Sequence, residues 1–410
     1  MSLIAEVGRK NTSADCFVRL EVTKGGGIEV ELKSKVESMY GEQIRNLVKE
    51  LMEFFGVENA QIYIEDGGAF PFSLKARLEY ALKKCLPERK GEFLAEIIPQ
   101  NLYPVARDRL RRSRLYVPGD QPRLIINAGL YKPDAVILDL EDSVAPAEKE
   151  AARFLVRNAL REVDFLGAER MVRINQLPAG LADLPFVVPH RVHTILIPKC
   201  EHPETVKEVA GKIGELRDQH QVENEIYLMP IIESALGVVN SYEIATASPS
   251  VVALTIGLED FTADIGAART REGKESLLAR EEVVIAARAA GVQPIDSVFS
   301  DLADEEGLKE SVSEAKSLGF EGKGCIHPRQ IGIINDGFAP TQGEIERAQR
   351  IVLALEDAQR RGSGVVALGN KMIDPPVVKR AQRTLKLAIS YGKITADWRT
   401  TTGKIASNNG

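Results

Sequence analysis

The chain has 410 residues, room for two to three domains and a large buried core, so a single small module is excluded. With 53 Lys and Arg against 59 Asp and Glu, a formal net charge of −6, and 44% hydrophobic residues, it has the balance of an ordinary folded protein and lacks the basic surface of a nucleic-acid binder. No signal peptide and no membrane span is expected, and the scattered Cys16, Cys85, Cys200 and Cys325 carry neither a disulfide framework nor zinc-ligand spacing, so a reduced cytoplasmic setting is the expectation.

Residues 17–22 (FVRLEV) and 28–33 (IEVELK) alternate apolar and polar around Gly25, Gly26 and Gly27, which predicts a β-hairpin. An amphipathic helix is expected over 35–55, carried by Ile44, Leu47, Val48, Leu51, Phe54 and Phe55, with Gly56 to end it. A strand at 60–66 and a helix at 74–85 complete a compact α+β unit over 1–86. Residues 87–111 then read as a linker with partial helix, and the charged tract from Glu88 to Arg112, ending in Arg109, Arg111 and Arg112, as solvated surface.

From residue 112 the pattern becomes regular. Strands are expected at 114–118, 135–140, 171–175, 193–198, 225–232, 251–257, 292–296 and 322–327, with helical segments at 146–162, 203–218, 275–290 and 303–318 between them. Eight βα units over 112–340 fit an α/β protein of the TIM (β/α)8 barrel class better than an open doubly wound sheet, and no G-x-G-x-x-G follows any strand. Two further helices, 341–361 and 376–390, form a C-terminal extension over 341–410 that packs outside the barrel or on another subunit.

In a barrel of this kind the chemistry gathers where strands finish. Asp139, Glu141 and Asp142 end the second strand, Arg173 and Asn175 the third, Lys199 the fourth, Glu233 the fifth, Glu259 and Asp260 the sixth. Two carboxylates from neighbouring strands can hold Mg²⁺, whose octahedron is filled by water and substrate oxygens; Glu233 and Asp260 are the chosen pair, the alternative being helix caps or ion pairs with Arg173. Arg173 can grip a substrate carboxylate bidentately, or pair structurally with Asp139 or Glu141. Lys199 suits a phosphate or carboxylate, or a buried ion pair, and His327, beside Pro328, reads as structural.

Several of these stretches are motifs. RSRLYVPGD (112–120), KPDAVILDLEDSV (132–144), VRIN (172–175), IIESALGVVN (231–240), GLEDF (257–261), GKGCIHPRQI (322–331) and NKMIDPP (370–376) together resemble the citrate lyase beta subunit family, in the citrate lyase and malyl-CoA lyase branch of the HpcH/HpaI aldolases. The resemblance covers about 112–390. Over 1–86, TSAD (12–15), GIEVELKSKVESMYGEQIR (27–45) and GAFPFSLKARLEYAL (68–82) resemble the citrate lyase gamma subunit, an acyl carrier. That second resemblance implies a phosphoribosyl-dephospho-CoA arm on Ser13, although Arg9, Lys10 and Asn11 stand where the family usually has an apolar and an acidic residue.

For the barrel, the resemblance implies Mg²⁺ on Glu233 and Asp260, substrate on Arg173 and Glu233, and a catalytic Asp374 on a C-terminal segment that covers a neighbouring subunit's site, so a homo-oligomer, trimer or hexamer, is expected. The implied reaction is carbon–carbon cleavage of a citryl thioester on the carrier to an acetyl thioester and oxaloacetate, with an acyl-exchange (alpha) subunit as a possible further partner. The alternatives are a malyl-CoA or citramalyl-CoA type of lyase acting on free CoA thioesters, and a non-catalytic carrier or assembly subunit.

Overall fold

The computed structural model describes residues 4–360, 367–368 and 371–399. The chain divides into two units, 1–331 and 332–410.

The first unit begins with β1 (Ile4–Gly8), β2 (Cys16–Val22), β3 (Ile28–Ser34), α1 (Glu37–Phe54), β4 (Ala60–Asp66) and α2 (Pro71–Cys85). The sheet order is β1-β2-β4-β3, so the expected hairpin of the second and third strands does not form. β4 lies between them, antiparallel to β2 and parallel to β3. The reason lies in the side chains. β4 buries Ala60, Ile62 and Ile64 and can be central, whereas β3, with Glu29, Glu31 and Lys33, suits an edge. A parallel β3–β4 pair needs a crossover, and α1 supplies it.

The linker carries only a 3-10 turn, Pro99–Asn101. Glu88, Arg89, Lys90 and Arg107 are exposed as expected, but Arg109, Arg111 and Arg112 do not form a solvated face. Arg111 is buried against Glu169 at 2.8 Å and donates to Gln293, Arg112 pairs with Asp134 at 2.7 Å, and Arg107 and Arg109 donate to the carbonyls of Val251 and Gly167. All these partners sit at or just before the beginnings of strands. The tract therefore closes the barrel's N-terminal end, where burial among carbonyls and carboxylates offsets the cost of desolvating guanidinium groups.

The barrel runs through β5 (Ser113–Pro118), α3 (Pro122–Ile125), β6 (Ala135–Asp139), α4 (Lys149–Glu162), β7 (Glu169–Arg173), β8 (Thr194–Ile197), α5 (Pro203–His220), β9 (Tyr227–Ile232), α6 (Ala235–Val239), α7 (Ser241–Thr246), β10 (Ala253–Ile256), α8 (Leu258–Asp264), α9 (Leu277–Ala290), β11 (Gln293–Asp296), α10 (Glu305–Leu318) and β12 (Gly322–Cys325). All eight strands are parallel and β12 pairs back onto β5, closing the cylinder. Strands such as β6 and β9 are buried at every position, as a sheet covered on both faces requires. Ala135, Ile137, Met171, Leu196, Met229, Ile231, Ala253 and Ile295 fill the interior. α9 and α10 each stop at a glycine in the left-handed region, Gly291 and Gly319, which turns the chain into the next strand.

Helix α11 (Arg329–Phe338) follows the last strand, and then come α12 (Gln342–Arg360) and α13 (Pro375–Ser390) of the second unit. The last two bury one another's apolar stripes, with Ile351, Val378, Leu385 and Trp398 in a common core. Position 361 of the expected helix and Asn370 of the NKMIDPP motif lie outside the described residues.

Candidate active site

The C-terminal ends of the barrel strands surround a cavity of about 390 Å³, lined among others by Tyr116, Asp139, Asp142, Arg173, Glu233 and Asp260. That volume accommodates a small ligand.

Glu233 directly follows β9, and its Oε1 accepts the backbone N–H of Lys199 at 3.0 Å. Asp260 stands in the first turn of α8, after β10. Both carboxyl groups line the cavity, and burial together with the nearby Asp260 pushes the Glu233 carboxyl up to about 8. Such a pair holds a proton or takes a cation. Gly257 makes the arrangement possible, because a Cβ there would come within 2.7 Å of Glu233 Oε2. Among the described residues no group of three or more His, Cys, Asp and Glu converges as a metal site. Two carboxylates are nevertheless the donor set that suits Mg²⁺, which keeps several waters and completes its shell from substrate.

Arg173 ends β7 in the same cavity. Its Nε and Nη2 donate to the two oxygens of Asp139, each at 2.7 Å, and its Nη1 lies 3.0 Å from Glu141 and 3.7 Å from Asp142. Asp139 also accepts the backbone N–H groups of Glu141 and Ser143. Burial alone would raise the Asp139 carboxyl; the hydrogen bonds and charge of Arg173 overcome this and hold it below the ordinary carboxylate range. Reciprocally, burial works against the Arg173 charge, and Asp139 more than restores it. The guanidinium lies over the Tyr116 ring, 5.2 Å from its centroid. The structural ion pair open to Arg173 from the sequence is thus formed, and it fixes the guanidinium at the cavity wall.

Lys199 reaches three acids, Glu141 at 3.5 Å, Asp260 at 3.8 Å and Asp142 at 3.9 Å. His327 accepts the backbone N–H of Arg329 through Nδ1, in keeping with a structural role. Ser13 is exposed in the turn between β1 and β2. Asp374 is exposed at the N-cap of α13 in the 332–410 unit.

Sequence reasoning did not single out Tyr116, Gly257 or two buried clusters, one inside the barrel and one between its sheet and α9. Arg114 reaches Thr255 Oγ1 at 3.0 Å, and Asp296 is held by Lys323 at 2.6 Å and by Arg280 at 3.1 Å. Tyr116 and Arg114 alternate on one strand, so their inward direction was readable once β5 was placed; the Asp296 partners come from separate elements and leave no local signal.

The model of the HpcH/HpaI aldolase/citrate lyase family matches residues 112–328. The chain belongs to that family. An acyl-carrier family model, described as malonate decarboxylase delta subunit (MdcD), matches residues 7–85. The barrel is similar to citrate lyase subunit beta of Leuconostoc mesenteroides subsp. cremoris, 42% identical over 284 residues, which are 68% of this chain and 94% of that protein. It is also similar to the mitochondrial citramalyl-CoA lyase of Mus musculus, 36% identical over 292 residues, 68% of this chain and 86% of that one. Among solved structures, CitE of Mycobacterium tuberculosis in complex with magnesium, acetoacetate and coenzyme A matches with a TM-score of 0.56 and 30% identity, covering 69% of this chain and 99% of that one. Like these relatives, the chain is a lyase with an aldolase-type barrel, here joined to an acyl-carrier-like N-terminal domain. No helix among the described residues is long and apolar enough to cross a membrane.

Proposed function

We propose that this lyase is Mg²⁺-dependent and cleaves a 3-hydroxy-acyl thioester, citryl on a carrier arm, to acetyl thioester and oxaloacetate. The observation that carries the reading is the meeting of Glu233 and Asp260 at the mouth of the barrel, in one cavity with Arg173. Glu233 and Asp260 are the residues that would hold Mg²⁺, which supplies Lewis acidity toward the substrate's hydroxyl and keto oxygen.

The cleavage passes the hydroxyl proton to water, breaks the carbon–carbon bond with its electron pair passing to a thioester enolate as the hydroxyl carbon becomes the keto carbon, and returns a proton to the enolate carbon. Arg173 binds the departing acid's carboxylate and offsets the charge that spreads during bond breaking. Its orientation is set by Asp139 and by the Tyr116 face beneath it. The hydrophobic wall formed by Ile231, Ile256 and Val298 limits water around the enolate. Asp374 is the proposed proton donor, in keeping with an oligomer in which a C-terminal segment completes a neighbour's site, and Ser13 is the proposed attachment point of the arm.

Steady-state cleavage of citryl and malyl thioesters by the wild-type chain and by Asp260→Asn, with and without Mg²⁺, tests the proposal. Loss of cleavage by several powers of ten in the variant is expected, and full retention refutes it. The similarity to citramalyl-CoA lyase and to a CitE structure holding coenzyme A supports a second reading, cleavage of free CoA thioesters. A mass spectrum of the protein from its native source separates the two, because only the first requires an adduct on Ser13.

A further inference from the structure

The turn that carries Ser13 is unusually well anchored for an exposed loop. Next to it, Asp15 is buried and takes both Nε and Nη2 of Arg77, at 3.1 and 2.7 Å. Ala14 N–H donates to Gly67, and the Ser73 hydroxyl donates to the Ala14 carbonyl. Gly67 is required there, since a Cβ would run into the Thr12 carbonyl oxygen. Ser13 therefore stands exposed on a fixed turn.

Two contacts fix where that turn points. Arg9 pairs with Asp120, which lies in the loop just after β5, and Arg77 Nη1 lies 3.6 Å from Glu148, at the entrance to α4 just after β6. Both barrel partners are in loops that follow strands, on the end of the cylinder where Arg173, Glu233 and Asp260 open. Arg9, one of the residues that depart from the carrier pattern, is the one that reaches the barrel.

The rest of the junction is a buried charge network between α2 and α4. Arg157 pairs with Glu79, both with fully buried side chains, and its Nη1 also meets Glu92 at 2.9 Å. Lys75 pairs with Glu162 at 2.8 Å, the Tyr80 hydroxyl donates to Glu150, and Asn158 donates to the Phe72 carbonyl at 3.1 Å. Separating the two domains would break all of these contacts and expose the Tyr80 and Phe154 rings, whose centroids lie 5.4 Å apart across the junction, so the junction favours one arrangement over a swinging tether.

We propose that the carrier-like domain is docked on its own barrel and presents Ser13 at that barrel's mouth, so that the acyl arm is delivered in cis. This rests on the reading that Ser13 bears the arm. The test uses full-length chains of two kinds co-assembled: Asp260→Asn, whose arm is charged with a citryl group, and Ser13→Ala in excess, whose barrel is intact but carries no arm. Delivery in cis predicts a full loss of cleavage, with no oxaloacetate beyond that from the charged Asp260→Asn protein alone. Consumption of the charged arm by the Ser13→Ala barrels overturns the proposal while leaving the arm assignment standing. A mass spectrum showing no adduct on Ser13 instead overturns the arm assignment and, with it, cis delivery.

Docking itself has a separate readout. All four native cysteines are buried, so spin labels can be directed to Lys24→Cys and Lys207→Cys, two exposed positions on the carrier-like domain and the barrel. Labelled chains diluted into unlabelled ones are expected to give one narrow distance distribution, and a broad one refutes docking.

Discussion

Because the Glu233 carboxyl is pushed up to about 8 by burial and by Asp260, the metal-free protein holds a proton there at neutral pH, and a cation must displace it. With a midpoint near 8, Mg²⁺ binding at pH 7 should release about 0.9 proton, falling to about 0.1 at pH 9. The apparent affinity should rise roughly ninefold from pH 6 to pH 7 and less than about twofold from pH 8 to pH 9. Titration calorimetry in buffers of differing ionisation enthalpy counts the released protons directly, without turnover. Asp260→Asn removes one of the two causes, so the Glu233 midpoint should fall toward the ordinary value but stay above it, since burial is the larger cause.

The same proton affects stability. A carboxyl raised in the native state from an ordinary 4.5 binds more protons folded than unfolded between about 4.5 and 8, so the metal-free protein should lose about 1.4 kcal/mol per pH unit from this group across that window. The benefit is complete below 4.5 and gone above 8, and Mg²⁺ should restore it. No proton release at pH 7, or an affinity flat from pH 6 to 8, would refute a buried Glu233 carboxyl set beside the Asp260 charge.

Gly257→Ala should weaken Mg²⁺ binding by about tenfold or more while leaving the thermal midpoint within a few degrees, because the added methyl meets the flexible Glu233 carboxyl at 2.7 Å rather than backbone; calorimetry and a melting curve read the two effects separately. Glu79→Ala leaves the buried Arg157 with the half-exposed Glu92 as its remaining acid and should cost about 3 to 5 kcal/mol, read as a lowered urea midpoint for the transition reported by the N-terminal domain. His190 and His193 are held neutral to about 2 and about 3, by burial first and then by the charges of Arg161 and Arg170. Each binds fewer protons folded than unfolded, so stability should fall by roughly 1.4 kcal/mol per pH unit for each as pH drops below 6.5, and His193→Gln should flatten that acid limb in pH-dependent melting.

The barrel was legible because its strands are covered on both faces and separate themselves from helices by composition alone; the expected starts and ends of the eight strands differ from those observed by two residues at most. Strand ends then pointed to Arg173, Glu233 and Asp260 without further information. Pairing in the first domain was not legible. Period-two alternation around three glycines says strand–turn–strand but not which strand pairs with which, and the decision fell to β4, whose apolar residues come later in the chain. The linker arginines misled for a related reason. A charge tract is solvated only if no buried acceptor awaits it, and the acceptors, Glu169 and the carbonyls of Gly167 and Val251, lie 50 or more positions downstream.

The charges around the cavity also order its ligands. Asp139, Glu141, Asp142 and Asp260 face Arg173 and Lys199, Arg114 lines the same cavity, and Glu233, raised to about 8, keeps its proton at neutral pH. Asp139 takes both donors of Arg173, Glu141 and Asp142 are shared between Arg173 and Lys199, and Lys199 also reaches Asp260. An acid approaching Arg173 therefore meets a guanidinium already engaged by three acids. A divalent cation that displaces the Glu233 proton changes the cavity by one net positive charge, and at about 4 Å and an effective dielectric near 20 one such charge favours a carboxylate by about 4 kcal/mol. Bound first, the cation supplies the attraction that the engaged Arg173 lacks, which makes cation before anion the binding order that this arrangement of side chains favours.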